Sequence, residues 1–285
     1  MRDNEDRFSD LHGGDASAAV QTTSSQEEGA NLGFVSPTEF VDLPSKGKLY
    51  PSNHPLRGKT SLEIKFMTAK EEDILTNKSL IKKGVVVDRM LQSLIVDKGV
   101  KVEDMVLGDK NALIVASRVS GYGSNYEVSV TCPNCESKEK QVFDLADLEE
   151  KEVDDLSSLD VGFDEQTALF SVSLPRTKAK VEFRLLTGKD EKEMTSQMLS
   201  NKKQLEETTS TSQLKRIVVS VNSNTDKRVV EHFVENMPAI DARYLRTLSK
   251  KVSPDINMEQ EFSCSSCGHE GQTEVPFTVE FFWPK

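Results

Sequence analysis

Leu62-Glu63-Ile64-Lys65-Phe66-Met67-Thr68-Ala69-Lys70-Glu71-Glu72 returns 119 positions later as Val181-Glu182-Phe183-Arg184-Leu185-Leu186-Thr187-Gly188-Lys189-Asp190-Glu191. The pairs are chemically alike throughout, apart from Ala69 against Gly188. In the first copy Leu62, Ile64 and Phe66 alternate with Glu63 and Lys65, the period of a half-buried strand. Thr68 with Glu71 then forms a capping box, in which each side chain satisfies the other's free backbone donor, so a helix starts there. Thr187 with Asp190 repeats the box with a shorter acid.

The repetition extends outward. Val41-Asp42-Leu43-Pro44 matches Val172-Ser173-Leu174-Pro175 at an offset of 131, and Met105, Asp109, Leu113 and Ser117 fall on Met237, Asp241, Leu245 and Ser249 at 132. At that same offset Cys132-Pro133-Asn134-Cys135 falls on Cys264-Ser265-Ser266-Cys267, and these four are all the cysteines of the 285-residue chain. The extra residues of the second copy lie in the polar stretch around Lys202 to Ser212, where a longer loop costs little. The expected fold class is α+β: two tandem repeated modules of short strands plus helices, joined at a shared four-cysteine zinc-ribbon-like site.

Domain boundaries follow from composition. Residues 1–33 are rich in Ser, Gly and acids, with too few branched apolar side chains to offset ordering entropy, and read as a disordered acidic tail. A first α+β module spans 34–150 and carries the Cys132/Cys135 knuckle. An acidic linker covers 151–166, and 167–285 forms the second module with the Cys264/Cys267 knuckle. The arm from Phe34 to Pro51 reads as extended, and Leu43 and Tyr50 in it could dock on a neighbour or pack on their own module. Val87, Leu91, Leu94 and Ile95, then Leu113, Val115, Ala116 and Val119, predict two helices in the first module, the second stopped at Gly121-Tyr122-Gly123. Val229, Val230 and Phe233, then Ile240, Tyr244, Leu245 and Leu248, predict core-facing stripes in the second. Apolar strands are expected to leave the knuckles at Val142–Leu145 and Val275–Phe282.

The net charge of −11 makes bulk attraction to nucleic acid phosphates or anionic lipid a poor fit. No apolar stretch suits a signal peptide or a membrane span, which predicts an intracellular, reducing setting in which paired Cys-x-x-Cys units point to metal before disulfide. Four thiolates, Cys132, Cys135, Cys264 and Cys267, are a common structural zinc set, and a closed set of four leaves no open position for catalysis. One structural Zn2+ per chain is expected, and His269 is left beside the site rather than in it. His12, His54 and His232 are scattered, no nucleophile motif accompanies them, and the chain reads as a non-enzyme without catalytic or small-molecule cofactor residues.

Phe40-Val41-Asp42-Leu43-Pro44-Ser45-Lys46-Gly47-Lys48-Leu49-Tyr50-Pro51, the segment Glu63 to Leu75, Leu107-Gly108-Asp109-Lys110-Asn111-Ala112-Leu113, and Tyr122-Gly123 ahead of Cys-Pro-x-Cys resemble the baseplate hub proteins of T4-like contractile-tailed bacteriophages. The resemblance covers most of residues 34–285. It implies a small non-enzymatic hub component or hub-assembly factor that works through contacts with other tail proteins, made in the host cytoplasm and retained in or released from the virion tail. No nucleic acid, membrane or small-molecule partner is expected. The alternative is a zinc-ribbon nucleic-acid-binding or transcription-regulatory protein, which requires a basic stripe beside a knuckle.

Overall fold

The computed structural model describes residues 36–282 apart from 152, 154, 155, 201–208 and 276–278. The acidic tail and most of the Lys202–Ser212 stretch therefore lie outside the described residues. In the first half β1 (Thr38–Asp42) pairs antiparallel with β2 (Ser61–Lys65), setting Val41 opposite Leu62. Leu43, Tyr50 and Leu56, from the chain between these strands, are buried in the same core as Leu62 and Ile64. The arm thus packs on its own half and its two named anchors are not free for a neighbour.

The capping box at Thr68 opens α1 (Ala69–Leu75), with the Thr68 N–H donating to Glu71 at 3.0 Å. Glu71 also accepts from Ser93 at 3.0 Å, which ties the box to α3. After α2 (Lys78–Lys82), α3 (Val86–Leu94) buries Met90, Leu91 and Leu94 at helical spacing. The long α4 (Leu107–Tyr122) buries Ala112, Leu113 and Val115 and stops at Gly123, whose φ of 85° suits glycine. Arg118, on this helix, is 1% exposed; its guanidinium donates to the carbonyls of Asn125 at 3.0 Å and of Phe281, far along the chain, at 2.7 Å. A hairpin follows, β3 (Asn125–Thr131) against β4 (Lys138–Asp144).

Residues 149–151 run beside 255–257, through Lys151 N–H to the Asp255 carbonyl and Asn257 N–H to the Glu149 carbonyl, both at 2.8 Å. The second half then builds a four-stranded antiparallel sheet in sequence order from β5 (Gly162–Asp164), β6 (Leu169–Ser173), β7 (Lys180–Phe183) and β8 (Val218–Val221). Between β7 and β8 lie α5 (Gly188–Ser200) and α6 (Thr209–Ile217). The helices α7 (Lys227–Asn236) and α8 (Ala239–Val252) lead to a second hairpin, β9 (Glu259–Ser263) against β10 (Glu270–Glu274).

Three expectations need correction. Val229 and Ile240 are 46% and 58% exposed, so the stripes expected on α7 and α8 fail at these two positions; Val230, Leu245 and Leu248 are buried as expected, Phe233 and Tyr244 pack against the core, and Val234 and Val252 join them. The strand leaving the second knuckle is the polar β10, not Val275–Phe282. Phe281 and Phe282 are buried all the same, in a short 3-10 turn, with Phe281 5.0 Å from the Tyr126 ring. The strand leaving the first knuckle, β4, does include Val142 to Asp144 and buries Phe143, but it exposes Val142 at 61% and ends before the buried Leu145.

The halves meet along the start of α4. Leu107 N–H donates to the Leu186 carbonyl at 3.1 Å and Gly188 N–H to the Met105 carbonyl at 2.9 Å. Lys110, 4% exposed, reaches Asp88 of its own half and Glu191 of the other, each at 2.5 Å. One buried hydrophobic cluster runs through both halves.

Candidate metal centre

Each hairpin turns through a knuckle built the same way. Cys132 N–H donates to the Ser137 carbonyl and Glu136 N–H to the Cys132 carbonyl; Cys264 N–H donates to the His269 carbonyl and Gly268 N–H to the Cys264 carbonyl, all at 2.9 Å. The residue after the second cysteine is left-handed in both, φ 58° at Glu136 and 69° at Gly268. Gly268 adopts this conformation freely, whereas Glu136 holds it at a cost of about 1 kcal/mol.

The knuckles face one another. Cys132 Sγ lies 3.8 Å from Cys267 Sγ, Cys135 Sγ lies 3.7 Å from Cys264 Sγ, and all four sulfurs fall within 4.8 Å of one another. A tetrahedral ion with metal–sulfur bonds of about 2.3 Å sets its ligands about 3.8 Å apart. A disulfide would draw two sulfurs to about 2.05 Å. Cys132 and Cys264 are buried and Cys135 and Cys267 exposed, so one sulfur of each pair anchors the site to the core. Neither pair begins a helix, the usual setting of a redox Cys-x-x-Cys. Cys135 accepts from or donates to Ser137 at 3.0 Å, and that hydroxyl brings its thiol down to about 6. Four thiolates this close would repel one another strongly, and a divalent cation at their centre would offset that charge.

Donors and acceptors surround the sulfurs. Asn134 gives its N–H to Cys132 Sγ at 3.4 Å and its side-chain amide to Cys267 Sγ at 3.6 Å. Glu139, on β4, crosses to the other knuckle and accepts from Ser265 N–H at 2.9 Å and Ser266 N–H at 3.0 Å. Sequence reading missed Glu139, because nothing local distinguishes it from any solvated acid on a strand.

The remaining histidines do not gather. His54 stacks on Tyr50 with ring centroids 4.4 Å apart, His232 sits beside Asn236, and His12 lies outside the described residues. His269 contributes its backbone carbonyl to the knuckle, and its side chain is not part of the sulfur cluster. A cleft of about 830 Å3 beside β7, α5 and α6 has among its lining residues two ion pairs, Arg184 with Asp190 and Arg216 with Glu193. Neither hairpin carries a basic stripe: Lys140 is paired with Glu127, and β9 and β10 expose Glu259, Glu261 and Glu270.

Comparison with known families places these features. A family model described as T4 bacteriophage base plate protein matches residues 37–283. The chain belongs to this family. Comparisons with curated proteins and with solved structures gave no match. This base plate protein is therefore a phage structural protein by kinship, and its family associates it with the virion tail and with other phage structural proteins. Among the described residues of the base plate protein, no helix is long and apolar enough to cross a membrane.

Proposed function

We propose that this base plate protein is a non-enzymatic part of the central hub of the tail baseplate, or a factor that assembles it, acting through contacts with other tail proteins. Its single observation of weight is the family match across residues 37–283, over a fold whose one gathered set of metal-ligating side chains, among the described residues, is closed and structural in type. Cys132, Cys135, Cys264 and Cys267 hold one zinc ion per chain, which clamps the two halves together. The halves are two copies of one module, 34–150 and 167–285. Matching contacts support this: Asp109 and Asp241 each accept from the backbone after a Leu-Pro turn, Glu71 and Asp190 each accept from the Thr that opens a helix, and the knuckles share one hydrogen-bonding pattern. The acidic hairpins speak against the nucleic-acid reading.

Metal analysis of the purified chain is expected to find about one zinc per molecule. In a phage carrying Cys132→Ser with Cys264→Ser, tail baseplates should fail to form, while the wild-type chain supplied in trans restores them. Normal baseplates from the double variant would refute the structural role of the site. The protein's abundance in purified virions against infected-cell lysate separates a resident hub component from a departing assembly factor.

A further inference from the structure

We infer that Glu139 is a positioning residue for the metal centre, by which the first hairpin sets the geometry of the second knuckle. This rests on the four cysteines binding metal. The Glu139 carboxylate accepts from three donors between Cys264 and Cys267: Ser265 N–H at 2.9 Å, Ser266 N–H at 3.0 Å and the Ser266 hydroxyl at 2.8 Å. Its Oε1 also lies 3.4 Å from Cys264 Sγ. A single side chain thus fixes the turn on which both sulfurs of the second knuckle ride, across 126 residues of sequence.

The arrangement is one-sided. Glu139 stands opposite Val130 in its hairpin, and the residue at the same register in the second hairpin is Gly271, opposite Phe262. Glycine has no side chain to return the contact. The first knuckle instead satisfies its own turn, with Asn134 N–H donating to Cys132 Sγ at 3.4 Å. In the second knuckle the corresponding Ser266 N–H is given to the carboxylate. The first pair of sulfurs is therefore held locally, whereas the second pair depends on the neighbouring hairpin for its orientation. Outer contacts of this kind commonly carry 10-fold to 100-fold of metal affinity.

Cobalt(II) titration of the full chain reads both the site and its positioning, since four-thiolate coordination gives a distinctive charge-transfer and d–d spectrum. Wild type is expected to bind one equivalent with that spectrum. Glu139→Ala should bind with about 10-fold to 100-fold lower affinity and lose metal faster to a chelator, with the tetrahedral spectrum unchanged. Glu139→Gln keeps an oxygen acceptor and should recover most of the affinity. Absence of a thiolate spectrum in wild type would sink the metal reading itself. A wild-type spectrum with equal affinities for wild type and Glu139→Ala would sink the positioning role alone. Far-ultraviolet dichroism of the metal-free variants, expected to match wild type, guards against global unfolding as the cause.

Discussion

Asp109 holds Ser45 twice, taking its backbone N–H at 2.9 Å and its hydroxyl at 2.6 Å, although the two residues are 64 positions apart. The same carboxylate accepts from the Tyr50 hydroxyl at 2.7 Å, so the first turn of α4 pins the whole loop between β1 and β2. Asp109→Ala leaves three buried donors without their acceptor. Urea unfolding should show a loss of about 3 kcal/mol or more, since each unmet buried donor costs about 1–3 kcal/mol.

Asp109 and Asp190 should bend the pH profile of stability in opposite senses. Burial pushes the Asp109 carboxyl up despite its donors, so folding favours its protonated form. Its contribution is full at low pH and declines as pH rises from the ordinary Asp value of about 3.9 through the raised folded one. For Asp190 burial is outweighed by the Arg184 fork and by Thr187, which hold its carboxyl below the ordinary range. Its contribution is present above about pH 4 and is lost as pH falls through the folded value. Unfolding measured from pH 2.5 to 6 should therefore be less acid-sensitive in Asp190→Asn and more so in Asp109→Asn, each relative to its own value at pH 6.

Gly108 and Gly188 allow the halves to touch. A Cβ on Gly108 would stand 1.9 Å from the Pro254 carbonyl oxygen, and one on Gly188 would stand 2.6 Å from that of Val102. Both obstacles are backbone atoms, which cannot swing aside. Gly108→Ala is expected to cost about 3 kcal/mol and Gly188→Ala about 1–3 kcal/mol, read as lowered urea midpoints. By contrast the second half places Ala239 and Ile240 at the position matching Leu107 and Gly108, where Ile240 is exposed and no such approach occurs.

Lys110 is the buried cation shared by Asp88 and Glu191. Lys110→Ala strands the Asp88 carboxylate, whose side chain is 17% exposed, and should destabilise by about 3 kcal/mol. Pairing Lys110→Met with Asp88→Asn removes the orphaned charge and should return most of that loss. If the double variant is as unstable as Lys110→Ala, packing rather than charge governs the site.

What the chain disclosed beforehand was what its local chemistry encodes. The Thr68 and Glu71 box needs only residues three apart, and the Cys-x-x-Cys turns carry their own hydrogen-bond pattern, so both were legible. The two Cys-x-x-Cys pairs could be brought together because they stand 132 positions apart at matching places in the sequence; the sulfurs of Cys135 and Cys264 lie 3.7 Å apart. The stripes on α7 and α8 failed only at Val229 and Ile240, which sit beside the inward-facing Val230 and Asp241, and apolarity alone does not say which neighbour turns inward. The aromatic run at Val275–Phe282 resembled a strand, yet the pairing partner of β9 is Glu270–Glu274, chosen by the tightness of the knuckle rather than by hydrophobicity. Glu139 and Lys110 were invisible because their partners are 126 and 81 residues away.

The carbonyl of Phe281 that receives the Arg118 guanidinium has a consequence for biosynthesis. A ribosome delivers residue 281 long after residue 118 has emerged, and until then the guanidinium lacks one of its backbone acceptors and stays hydrated rather than sealed beneath α4. Closure of the first half thus waits upon translation of the second. A product terminated before Phe281 is expected to lack this seal and to be cut faster by protease than the full chain.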